Sequence, residues 1–178
     1  MSTTLPFTPE LIEHATGPLL HIRTGADGHP IGATAARRIR ASRDRVWKVI
    51  TDVEGMAGRT PMIQRAHREG RHVTVHLRFG VSLFSANFAF KVDPVIDEGR
   101  SVELRYVEGE PRDLTIRHEL VDASDPSAIL LYTSIGFDVF SVGFLAKVFL
   151  KHHPEIRYGV YPGSALALLD SVRRAAER

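Results

Sequence analysis

Cysteine is absent from the 178 residues, so no disulfide staples this chain and no thiolate can hold a metal. A reducing compartment is compatible with that composition. An excess of one charge is lacking too: 23 Lys and Arg against 21 Asp and Glu leave a formal +2, too little to argue for nucleic acid as a partner. No apolar run reaches membrane-spanning length. Residues 1–9 hold neither Lys nor Arg and no apolar stretch, so a secretory signal is not expected and a cytoplasmic location is. Also missing are a nucleophile elbow, a glycine-rich phosphate loop, a helical His-Glu metalloprotease pattern and any internal repeat. What remains is 43% hydrophobic content, enough for one domain with a sizeable core.

One stretch departs from the two-residue alternation that dominates the chain. Between Pro162 and Glu177, Ala165, Leu166, Leu169, Val172 and Ala176 make a one-sided apolar stripe, with Ser164, Asp170, Ser171, Arg173 and Arg174 mostly opposite. Arg173, Arg174 and Arg178 suit the negative end of the helix dipole. Phe144, Leu145, Val148 and Phe149 repeat at helical spacing as well, and Pro154 and Pro162-Gly163 predict breaks between a shorter helix and the main one.

Upstream, residues 1–31 are punctuated by proline and glycine too often for long elements and read as an extension, with a short helix starting at Thr8-Pro9. From Gly32 a strand through Ala33, Ala35, Arg37 and Ile39 runs into a helix capped by Ser42, with Val46, Trp47, Val49 and Ile50 at helical spacing. After a loop at Gly55, Gly58 and Pro61, a strand follows over residues 62–69. Five more strands alternate around Val73–Phe79, Phe84–Val92, Val102–Tyr106, Leu114–Leu120 and Ile129–Phe137, with turns expected at 80–82, 93–99, 109–111 and 122–127. Each is apolar on one side only, which predicts an antiparallel meander with one wet face. The fold class expected is α+β: a curved antiparallel meander wrapped around a long C-terminal helix, each burying the other's apolar face.

That element order resembles the helix-grip fold of the START and Bet v 1-like (SRPBCC) superfamily over residues 32–178, which makes 32–178 the domain and 1–31 its extension. The run Ile39–Val53, with Val46-Trp47 inside it and Thr51-Asp52 near its end, is similar to the opening of polyketide cyclase/dehydrase and coenzyme Q-binding family proteins, and Pro61 stands where those families often have a proline. The resemblance implies a cavity between sheet and helix that holds a lipid, sterol, quinone or polyketide-like compound, in carriers and in some enzymes. The extension and the Pro162-Gly163 break depart from the pattern.

The expected lining comprises Phe79, Phe84, Phe88, Phe90, Tyr106, Ile116, His118, Thr133 and Phe137 from the sheet, with Leu166 and Leu169 from the helix. Two readings of these residues stand side by side: a ligand cavity, or aromatics that simply close a core. His118 is the most informative, because an imidazole between Ile116 and Leu120 on an apolar face requires a partner, either a core hydrogen bond or a ligand's polar end. Tyr106 could act with it. Arg37 shares the face of Ala35 and Ile39, though snorkelling to water explains it equally. His67, His72, His76 and His152-His153 complete no metal-ligand spacing, and no metal or organic cofactor is implied. Phe140, Phe144 and Phe149 beside Lys147 and Lys151 suggest a lip for transient membrane contact, against simple cover for the sheet. The leading expectation is binding of a hydrophobic small molecule. The alternatives are an aromatase/cyclase-type enzyme using His118 and Tyr106 for proton transfer, and a docking module whose cluster Arg37, Arg38, Arg40, Arg43 and Arg45 meets a partner.

Overall fold

A computed structural model describes residues 5–81 and 84–178; within these, the side chains of 79–81, 84–86, 144–146, 149 and 154 are outside the description. Helix α1 (Pro9–His14) starts where Thr8 accepts a hydrogen bond from the Leu11 amide. It is followed by β1 (Leu19–Thr24) and β2 (Pro30–Ile39). Ser42 then caps α2 (Arg43–Thr51) through the Arg45 amide at 3.5 Å, as the sequence predicts. The short α3 (Met56–Arg59) leads to β3 (Ile63–Glu69). The meander continues through β4 (His72–Val81), β5 (Phe84–Asp97), β6 (Ser101–Gly109), β7 (Arg112–Asp122) and β8 (Ile129–Asp138). Helices α4 (Gly143–His152) and α5 (Arg157–Ala176) close the chain.

The eight strands form one antiparallel sheet in the order β1-β2-β8-β7-β6-β5-β4-β3. β2 pairs with the last strand of the meander, so α2 and α3 must carry the chain across to β3 at the far edge. α5 lies against the apolar face, contacting β2 and β8, and α2 packs on α5. The core between them includes Ala33, Ile39, Val46, Val92, Leu104, Ile116, Leu131 and Leu169. The architecture is the expected helix grip.

Besides the turn expected at 80–82, whose Gly80 and Val81 fall inside β4 while Ser82 lies outside the described residues, four details differ from expectation. First, Pro162-Gly163 does not break the helix: α5 is continuous, and the break falls at the 3-10 turn Pro154–Ile156. Pro162 forfeits one backbone hydrogen bond near the helix start, and its own burial together with that of Tyr161 holds the turn. Tyr161 anchors that point, its hydroxyl donating to the Phe137 carbonyl at 2.9 Å. Second, Ser171, placed opposite the stripe by its polarity, is buried.

Third, the turn expected at 93–99 shrinks to the three residues 98–100, because β5 runs on through Pro94 to Asp97. Pairing with β4 ends at Val92, so Pro94 has β6 alone as neighbour, and a residue without an amide proton is tolerated at a free edge. Fourth, the outer face is not uniformly wet. Ile12 of α1 packs with Ala36, Leu130 and Tyr132 in a second small core, flanked by Leu5, Phe7 and Leu19. The Tyr132 hydroxyl donates to the Phe7 carbonyl at 3.0 Å, and Glu13 accepts from Ser124. Strand β1, unforeseen because it carries little alternation, pairs along β2 and extends the sheet. Its Arg23 lies across Gly32 and Gly136, where a Cβ would overlap the guanidinium.

Candidate functional site

The deep end of the grip is built by β7, β8 and the α2–α3 crossing. Strand alternation puts Ile116, His118 and Leu120 on the inner face of β7, all buried, and register sets His118 opposite Thr133 of β8. His118 Nδ1 and Thr133 Oγ1 lie 3.0 Å apart, with the proton on either atom. Burial first, and then the positive charge of Arg59, push the His118 pKa down to about 4, so the ring is neutral at physiological pH.

Arg59 closes α3 and is locked by the end of α2. Its guanidinium donates to Asp52 Oδ2 at 2.7 Å, to the Asp52 carbonyl at 2.6 Å and to the Val49 carbonyl at 2.9 Å. Burial pushes against ionisation of Asp52, but the Arg59 and Gly55 hydrogen bonds and nearby cations outweigh it and hold the carboxyl below its usual range. Thr60 donates to Ser171 Oγ at 3.1 Å, which in turn donates to the Leu168 carbonyl at 2.8 Å. Together His118, Arg59 and Ser171 border a sheltered void of about 10 Å³, whose other walls are Val49, Ile50, Met56, Leu104, Leu168 and Val172. That volume holds about one water molecule. The arrangement sets a neutral imidazole, a fixed cation and a hydroxyl into an otherwise apolar wall, which can hold a carbonyl, hydroxyl or developing oxyanion.

Of the residues expected to line the cavity, His118 alone touches this void. Thr133 supports it from behind. Ile116, Phe90 and Leu169 are buried in the core; Phe88 and Leu166 are half-buried on β5 and α5. Phe137 packs its ring against Tyr161 at 4.9 Å. Tyr106 turns its hydroxyl to the Gly109 carbonyl at 3.1 Å and is not part of the His118 set. Phe79 and Phe84 lie on β4 and β5, and their side chains are outside the described residues. Arg37 is half-buried on β2. His67 and His76 stack on β3 and β4 with ring centroids 5.7 Å apart, and His72 faces Glu69 across the same pair of strands.

Arg59 and Ser171 were not legible as site residues. Arg59 reads as one loop arginine among many until the seven residues back to Asp52 are seen to fold over. Ser171 had a usable signal, since it stands three residues after Leu168 on a helix. At the other end of the grip, the β6–β7 turn and α4 flank an open depression of about 370 Å³ lined by Gly109, Glu110, Arg112, Phe140, Ser141, Gly143 and Lys147. Arg157 lies over the Phe140 ring, 4.2 Å from its centre.

No protein-family model and no curated protein matches the sequence. Solved structures do resemble the fold. The Zhui aromatase/cyclase from Streptomyces sp. R1128 is 19% identical with a TM-score of 0.57, over 89% of this chain and 95% of that one. A START superfamily protein from Mycobacterium smegmatis is 14% identical with a TM-score of 0.61, over 83% and 97%. A STAR-related lipid transfer protein from Xanthomonas axonopodis is 13% identical with a TM-score of 0.59, over 92% and 96%. The chain therefore has the START-like, SRPBCC-type helix-grip fold. At these identities the likeness establishes fold and not activity. No helix among the described residues is long and apolar enough to cross a membrane.

Proposed function

We propose that the chain binds a hydrophobic small molecule between the sheet and α5, in the cytoplasm, with residues 32–178 forming the binding domain and 1–31 its N-terminal extension. The observation that carries this reading is the buried His118 beside Arg59 and Ser171 on one internal void. Three polar groups converging in an apolar interior suit the polar end of a mostly apolar ligand. Lipid, sterol, quinone and polyketide-like compounds all have that character. Ligands of drug size require cavities of roughly 300 Å³ or more, so binding must spread α5 and the α2–α3 crossing away from the inner face. The fold likeness to a lipid transfer protein agrees with carriage.

Native mass spectrometry of protein purified from cells, with titration of a polarity-sensitive fluorophore, tests the reading. A copurified apolar compound and a saturable site, both lost in Leu168→Trp while the fold persists, are expected. Neither appearing would overturn it.

A second reading, an aromatase/cyclase acting on a bound polyketide intermediate, draws on the same void. His118 is neutral and able to take a proton, and Arg59 is placed to stabilise an enolate oxygen. Tyr106 has no part in it. Turnover of a polyketide substrate that survives both His118→Gln and Arg59→Gln would eliminate this version.

A further inference from the structure

We infer that α4 and the start of α5 form a surface that docks on anionic lipid bilayers, beside the open depression between α4 and the β6–β7 turn. From Val139 to Tyr158 the chain carries Lys147, Lys151 and Arg157 against a single acidic residue, Glu155, which is paired with His153 at 3.1 Å. α4 itself has no acidic residue at all. Lys147, Val148, Lys151 and His152 are exposed and stand at i, i+1, i+4 and i+5, so they share one face of that helix. Among the described residues, neither lysine makes an ion pair, whereas Lys91 on β5 is held by Glu108 at 2.7 Å.

Apolar surface accompanies these cations. Val148 is 41% exposed and Tyr158, in the first turn of α5, is 50% exposed. A valine and a tyrosine amid lysines suit the boundary between lipid headgroups and acyl chains, where a tyrosine keeps its ring in apolar surroundings and its hydroxyl wet. Lys147 also lines the open depression, so the same residue belongs to the cationic face and to that depression. Arg157 is stacked on Phe140 at the edge of that depression; among the described residues no carboxylate pairs with its guanidinium. Cations left without acidic partners around exposed apolar side chains favour a surface that is both anionic and apolar. A bilayer of acidic lipids has both properties.

The test is flotation of the full chain with vesicles of phosphatidylcholine alone and of phosphatidylcholine mixed with phosphatidylglycerol. Binding to the mixed vesicles only, weakened by salt, is expected. Lys147→Glu with Lys151→Glu should reduce it roughly tenfold or more, at about one kilocalorie for each cation near the surface. Val148→Asp should weaken it too. Arg45→Glu with Lys48→Glu makes the same charge change on the exposed side of α2 and should leave binding intact. Equal binding to both vesicle types, an α4 reversal no more damaging than the α2 control, or equal competition by soluble polyglutamate would each overturn the proposal. Matched thermal unfolding of all variants guards against misfolding. The inference stands apart from carriage: vesicle binding without any copurified apolar compound would keep this surface and remove the cargo.

Discussion

Lowering the pH should weaken the fold through His118 in particular. Its folded pKa is about 4 against an ordinary 6.5, so below neutrality the unfolded chain binds a proton that the folded chain resists. Stability rises with pH wherever the unfolded state holds more protons, so the contribution is intact above about 6.5 and is lost as pH falls towards 4. The full difference corresponds to about 3 kcal/mol, of which about 2 kcal/mol is lost between roughly pH 7.5 and pH 5. Urea unfolding of the wild type and of His118→Gln at both pH values isolates the term, because the carboxylates common to both proteins cancel. The expected result is a wild-type midpoint that falls more steeply with pH than the variant's, and an imidazole resonance that titrates far below 6 in the folded protein. Parallel pH profiles, or an NMR midpoint near 6.5, would refute the claim that this ring is buried and neutral.

Other changes bear on neighbouring parts of the argument. Arg59→Gln should raise the NMR midpoint of His118 modestly, since burial is the larger cause and the Arg59 charge the smaller. Gly109→Ala should cost roughly 2 kcal/mol or more by thermal unfolding, because φ is +108° there and a Cβ would sit 2.6 Å from Phe90 Cα. Ile12→Ala should remove about 2–4 kcal/mol from the outer core and speed proteolytic release of the first residues. Unchanged cleavage kinetics would mean that α1 does not hold the extension in place.

Much of the fold could be read directly. Alternation is a local property, so Val73–Phe79, Leu114–Leu120 and Ile129–Phe137 announced their strands, and Ser42 and Thr8 announced helix starts. His118 stood out for the same reason, as a polar ring in an apolar row. Pro94 and Pro162 misled because their effect depends on neighbours. One lies on a strand edge freed by the end of β4, and the other lies in a helix held by Tyr161.

The site drew most on tertiary structure. Thr133 is 15 residues from His118 and meets it only through β7–β8 register. Arg59 approaches the void because Asp52 and the Val49 carbonyl turn its guanidinium, and Ser171 joins from a helix 111 residues beyond Thr60. Local periodicity determined which residues face inwards, since side-chain direction follows from backbone repeat alone. Which of those inward residues meet was decided by strand register and by the packing of α2, α3 and α5, because contacts between distant segments exist only once the chain has closed.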